Sequence, residues 1–177
     1  MDITVRRLTQ GDVKEAREAF ALMADVFQEK HECLSDEYIT ALLGCSGFWA
    51  MCAFSGMEVL AGLTAHTLPM TNRETSEVLL YDIAVVPEHR RKGIGRRLLE
   101  ELLSLTSREG CSVVFVLADD ADQEALDFYR KVGAEATKVT LFSYSSGLTV
   151  AETSPDRRRC VDQFHRAGTS RPGLKLP

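Results

Sequence analysis

Five cations within eight positions, Arg90, Arg91, Lys92, Arg96 and Arg97, surround Gly93 and Gly95. They stand where an apolar run, residues 78–86, passes through Pro87 into the helical pattern Arg96-Arg97-Leu98-Leu99-Glu100-Glu101-Leu102-Leu103. A helix N-terminus leaves backbone N–H groups unpaired and carries partial positive charge, and glycines let an anion approach without a Cβ in the way. The chemistry on offer is the cradling of a pyrophosphate. The spacing is neither that of a P-loop nor Gly-x-Gly-x-x-Gly. A basic surface turn or a nucleic-acid patch is the plainer alternative.

Carboxylates form the second group. Asp82 lies inside the apolar run, where a charge is costly unless used or paired. Period-two alternation puts it on the face of Ala84 and opposite Tyr81 and Ile83. It suits a general base or a grip on an ammonium, with a structural pair to Arg73 or Arg91 as the alternative and Glu77 as the reserve. Downstream, Ala118-Asp119-Asp120-Ala121-Asp122-Gln123-Glu124 gathers four carboxylates. A helix cap accounts for Asp122, and for Asp119 and Asp120 less well; together they would steer and hold a polyamine-like cation. His66, read as ending a strand, and His89, in the basic turn, are weaker candidates.

The elements that must position these groups follow from patterning. Residues 3–8 read as a strand, and Asp12 with Glu15 resembles a capping box before Val13, Ala16, Phe20, Met23 and Phe27 at helical spacing. A second helix starts at Ser35 and ends near Gly44. Residues 48–54 and 59–67 read as a hairpin, residues 68–76 as a polar loop, and the apolar run as the next strand. Its helix runs to about Arg108 and stops at Gly110. Residues 111–118 suggest a strand covered on both faces, Asp122 caps a helix over 123–132 on which Ala125, Phe128, Tyr129 and Val132 share a face, and residues 137–144 read as a final strand. The order implies an α/β fold, a mixed sheet with helices on both faces, in residues 1–145; residues 146–177 read as a basic tail.

At 177 residues with 45% hydrophobic and 27% charged content, the chain can bury a core without disulfides or metals. Five cysteines, Cys33, Cys45, Cys52, Cys111 and Cys160, contain no Cys-x-x-Cys and read as buried free thiols of a reducing cytoplasm, with no metal site. No apolar run approaches the ~20 residues needed to span a bilayer. Residues 151–177 hold six Lys/Arg and three Asp/Glu, so residues 1–150 carry 15 against 23. A net −8 body argues against nucleic acid and for a cationic substrate.

Arg90-x-x-Gly93-x-Gly95, after a strand ending in Ala84-Val85 and opening a helix, resembles the acetyl-CoA motif of the GCN5-related N-acetyltransferase (GNAT) superfamily. The resemblance covers about residues 3–144. It implies the GNAT fold, a mostly antiparallel sheet whose central strands splay apart to admit acetyl-CoA, here residues 78–86 and 111–118. It implies cofactor contacts from Ile83, Ala84, Val85, Arg90, Arg91, Lys92, Gly93, Ile94, Gly95 and Arg96, with the Val85 N–H polarising the thioester carbonyl. Tyr129, in the family's Ala-x-x-x-Tyr-x-x-x-Gly placement from Ala125 to Gly133, becomes the acid that protonates the departing thiolate, because a phenol remains protonated at neutral pH. A core tyrosine is the alternative. Asp82 becomes the base, directly or through a water.

More narrowly, Leu68-Pro69, Ser76-Glu77, Tyr81-Asp82-Ile83-Ala84-Val85, Glu88-His89-Arg90-Arg91, Ala118-Asp119, Asp122 and Tyr129 resemble the type I aminoglycoside 3-N-acetyltransferases, the gentamicin-acetylating branch. That implies substrate contacts from Glu77, Asp82, Asp119 and Asp122, to which the acidic loop adds Asp120 where the family has another residue type, a polycationic aminoglycoside acceptor, antibiotic resistance, and compatibility with a homodimer. A polyamine or a protein amine as acceptor, and a non-catalytic acetyl-CoA-binding module, are the alternatives.

Overall fold

The computed structural model describes residues 2–30 and 32–144, which divide into a unit ending at Leu117 and a unit beginning at Ala118. The expected border after residue 145 and the basic tail at 146–177, Cys160 included, lie outside the described residues.

The first unit is built on a five-stranded sheet in sequence order: β1 (Thr4–Arg7), β2 (Phe48–Ser55), β3 (Glu58–Pro69), β4 (Ser76–Val85) and β5 (Val113–Val116). The first four pair antiparallel and β5 runs parallel to β4. The β2–β3 hairpin turns at Gly56, whose φ of 61° is the left-handed conformation glycine adopts without steric cost. The mixed, mostly antiparallel sheet with helices on both faces is thus as expected.

Both faces of β2 are buried because alternate residues feed two cores. Phe48, Ala50, Cys52 and Phe54 pack with Ala16 and Ala19 of α1 (Val13–Phe27) and Ile39 of α2 (Asp36–Leu43). Trp49, Met51 and Ala53 point the other way, toward the layer of α3 (Ile94–Arg108), where Leu98 and Leu102 are fully buried one helical turn apart. Each such side chain contributes about 1.5–3 kcal/mol by leaving water. Gly62 of β3 lets α1 sit close: a Cβ there would lie 3.2 Å from Met23 Sδ. Met23 and Phe27 then close over Ala84, near the end of β4.

Several expectations need correction. Residues 137–144 form no strand, and Val139, Phe142 and Tyr144 are exposed, so apolar alternation there is not matched by a partner among the described residues. β5 is four residues long and edges the sheet, with Val113 exposed, where a longer strand covered on both faces was expected. β3 runs through Leu68 and Pro69, which places His66 inside the strand and shortens the loop to residues 70–75. The four described cysteines are free, but only Cys52 is buried, its thiol pushed up to about 12 by desolvation; Cys33 and Cys45 are exposed because they lie in connections, not in the apolar runs. Among the described residues no helix is long and apolar enough to cross a membrane.

The capping box at α1 is also replaced. Asp12 makes no cap hydrogen bond; its Oδ2 accepts from Thr9 N at 2.7 Å and Thr9 Oγ1 at 2.8 Å, and its Oδ1 pairs with Arg6 at 2.8 Å. The Arg6 hydrogen bond outweighs burial and lowers the Asp12 carboxyl to about 2. Since the folded value lies below the unfolded one, this stabilisation is complete above the unfolded pKa near 4 and vanishes as pH falls toward 2. Asp12→Ala should therefore lose about 2 kcal/mol in denaturant unfolding at pH 7, and the deficit should shrink steadily between pH 4 and pH 2.5. An equal deficit at both ends would rule out the ion pair as its source.

Candidate active site

β4 is held differently on its two edges. Its β3 edge is paired from Ser76 to Val85, whereas β5 accompanies it only from Glu77 to Leu80. Past Leu80 the pairing ends, because β5 stops at Val116. Val86 N donates to Leu60 O at 3.0 Å, on the β3 side. Alternation of N–H directions along a strand then turns the Ile83 and Val85 N–H groups to the open edge. Glu77 lies before that point, paired with Leu68 and Val113, so the structure leaves it outside the open segment.

Where the pairing ends the strand is bulged. Ala65 pairs with Leu80 and Thr64 with Asp82, so Tyr81 is an extra residue and the alternation inverts across it. Leu80 shares the face of Ala65, while Asp82 comes round to the face of Thr64 and Ala84. Tyr81 does not lie opposite Asp82 as simple alternation implies. Its ring meets His66 edge-on at 5.4 Å, and His66 in turn meets Phe48 at 5.4 Å, on the α1 side. Burial pushes the His66 imidazole below its ordinary value, favouring the neutral form. Asp82 is half-buried and its Oδ2 lies 3.4 Å from the Thr64 hydroxyl. Thr64, His66 and Tyr81 are the members of this constellation that the residue types alone did not single out as a group; the bulge that gathers them has no sequence signature.

Beyond β4, a single 3-10 turn, Pro87–His89, leads to α3. Arg91 (φ 61°) and Gly93 (φ 80°) both adopt the left-handed conformation, and backbone that changes hand in this way folds into anion-binding concavities. The N-terminus of α3 has neither a side-chain cap nor an acidic residue in its first turn, whereas Ser35 and Asp122 cap α2 and the last helix. Arg90, Arg91, Lys92 and Arg96 around the start of α3 are exposed, Arg96 pairing with Glu100 at 2.7 Å. Ile94 is buried, so only its backbone could meet a phosphate. Arg97 turns away, donating to Ile3 O at 2.6 Å. Donors, open space at Gly93 and full positive charges suit a pyrophosphate.

In the second unit, α4 (Gln123–Lys131) carries Tyr129, half-buried, on its Phe128 side, the two rings 5.1 Å apart. Val132 falls just past the helix, and no residue of α4 is fully buried. Asp122 caps α4 by accepting from Ala125 N at 3.0 Å, and Asp119 accepts from Ala121 N at 2.7 Å. Asp119 is thus accounted for locally, as a turn residue whose second oxygen is not used by that bond. Asp120 is exposed. Separately, in the first unit, an open groove of about 590 Å³ between α1 and the end of β4 is lined by Glu18, Asp25, Glu58 and Glu88 but by no Lys or Arg.

The pattern of the acetyltransferase (GNAT) family matches residues 15–134. The chain is 33% identical over 117 residues to thialysine N-epsilon-acetyltransferase from Bos taurus, a match covering 65% of this chain and 63% of that protein, under two thirds of its length. Among solved structures, it resembles the aminoglycoside acetyltransferase meta-AAC0020 from an uncultured soil metagenomic sample, in complex with sisomicin, with a TM-score of 0.78, 28% identity and coverage of 81% of this chain and 95% of that one. A second aminoglycoside acetyltransferase of soil metagenomic origin, HMB0005, aligns with a TM-score of 0.75 at 29% identity over 82% and 100% of the two chains.

The left-handed Gly93 carries a direct test. A Cβ there meets nothing within 4 Å, so Gly93→Ala should suffer only the backbone cost, about 1–2 kcal/mol in chemical denaturation, or a flattened loop with weaker affinity for CoA by calorimetry. Unchanged stability together with unchanged CoA affinity would show that the turn does not need its left-handed residue.

Proposed function

The chain belongs to the acetyltransferase (GNAT) family, and from that premise we propose that it transfers acetyl from acetyl-CoA to an amine of an aminoglycoside, the 3-amine by its sequence resemblance, and so confers resistance. The family uses acetyl-CoA. The observation that carries the reading is the end of β4–β5 pairing at Leu80, five residues before β4 itself ends, together with the uncapped basic N-terminus of α3. Pantetheine would lie along Ile83, Ala84 and Val85, and its amide groups would take the strand edge that β5 leaves open. The pyrophosphate would rest on residues 90–96, held by Arg90, Arg91, Lys92 and Arg96 and the N–H groups of Gly93, Ile94 and Gly95.

In the proposed reaction the neutral amine nitrogen attacks the thioester carbonyl. A C–N bond forms, the oxyanion is met by the Val85 N–H, and collapse breaks the C–S bond. Asp82, directly or through a water, accepts the proton the nitrogen loses, and the Tyr129 phenol protonates the thiolate. Asp119, Asp120, Asp122 and Glu77 would hold the remaining ammonium groups. The identity with meta-AAC0020 supports an aminoglycoside acceptor, and the acidic composition of residues 1–150 supports a polycation of any kind.

The bovine relative favours a second reading, acetylation of the side-chain amine of a small amino acid. A thiol-release assay across sisomicin, spermidine, thialysine and a lysine peptide separates them. Sisomicin should give the highest kcat/KM; no CoA release with any aminoglycoside would remove the main reading, and none with any amine would leave an acetyl-CoA-binding module. Tyr129→Phe should lower kcat about 10- to 1000-fold with CoA affinity retained. Asp119→Asn, which preserves the turn hydrogen bond, should raise KM for sisomicin most at low salt. A KM equally changed at low and high salt would speak against the carboxylate's charge.

A further inference from the structure

We propose that Thr64 is a positioning residue for the Asp82 carboxylate; the inference rests on the role just proposed for Asp82. Among the described residues only Thr64 and Thr106 are buried polar side chains, exposed by 5% and 2%. Thr106 is satisfied within its own helix, donating to Leu102 O at 2.9 Å and lying 3.2 Å from Leu103 O. Thr64 is different. It sits in mid-β3, where a valine would fill the same volume without a hydroxyl to satisfy, and its hydroxyl reaches across the sheet to Asp82 Oδ2.

The bulge makes that contact possible. With Tyr81 as the extra residue, Asp82 is brought directly opposite Thr64; in an unbroken register Tyr81 would take that place. A hydroxyl donating to one carboxylate oxygen fixes the rotation of the carboxylate about its Cβ–Cγ bond. That rotation sets the direction from which the carboxylate meets the amine or its water. The contact is long at 3.4 Å, as catalytic hydrogen bonds commonly are before substrate draws the groups together. On the same face, His66 is two residues along β3 and its ring abuts Tyr81, so the bulge that delivers Asp82 is packed from the strand that carries Thr64.

The test uses Thr64→Val, which removes the hydroxyl at constant shape, and Thr64→Ser, which restores it, with Thr64→Ala in reserve should valine disturb folding. Carbon-13 NMR of labelled Asp82 reads the contact without any acceptor, and sisomicin turnover reads its consequence. In Thr64→Val the Asp82 titration midpoint should move up by about 0.3–1 unit, because a donor to the ionised form is lost, and kcat should fall about 5- to 30-fold with KM for acetyl-CoA within about two-fold. Thr64→Ser should recover both, and Thr64→Val should add nothing in an Asp82→Asn background. An unmoved midpoint, or the same loss in both backgrounds, overturns the proposal while the Asp82 assignment stands. Asp82→Asn with full activity instead strikes at that assignment and removes the kinetic role of Thr64 with it.

Discussion

A strand in mid-sheet normally has both edges paired, because buried N–H and C=O groups without partners are costly. β4 keeps to that rule on its β3 edge and abandons it on the other after Leu80. Among the described residues that edge has no further strand partner, which suits an extended ligand with amides of its own. The fold surrounding it makes the open edge tolerable: α1 clamps Ala84 through Met23 and Phe27, Val86 is tied back to Leu60, and a short turn delivers the chain to α3. In the proposed reading, acetyl-CoA would complete this unfinished ladder, with its charged end where α3 begins.

The bulge at Tyr81 links this backbone feature to a side-chain one. A single extra residue exchanges the faces of everything after it, so a strand that buries Val78 and Leu80 on one side presents Asp82 and Ala84 on the other. The acidic group is thereby set at the edge of the open segment without being forced into the α3 core. Thr64, His66 and Tyr81 define the environment it enters: one hydroxyl, one imidazole disfavoured in its charged form, and one phenol.

Much of this was legible in the sequence, and the reasons are physical. Strongly periodic segments such as α1, α3 and the β2–β3 hairpin announce themselves because burial of one or both faces leaves its period in the residues. The basic turn before α3 was legible because its glycines and clustered cations stand between an apolar strand and a helical pattern, a junction that shows in local sequence. What was not legible depends on pairing. The inverted face of Tyr81 follows from register, which no local pattern encodes. Asp12 has a cap residue's identity yet spends its carboxylate on Arg6 and Thr9, a choice made by a neighbouring strand. Residues 137–144 have the alternation of a strand and no partner among the described residues.

The central claim is that acetyl-CoA completes the open edge of β4. Residue-resolved amide hydrogen exchange measured with and without acetyl-CoA tests it most directly. The account predicts that the cofactor slows exchange at Ile83, Val85 and the first turn of α3, leaving the β3-paired amides of β4 as slow as before. Unchanged exchange at Ile83 and Val85 under saturating acetyl-CoA, with protection appearing elsewhere, would contradict it.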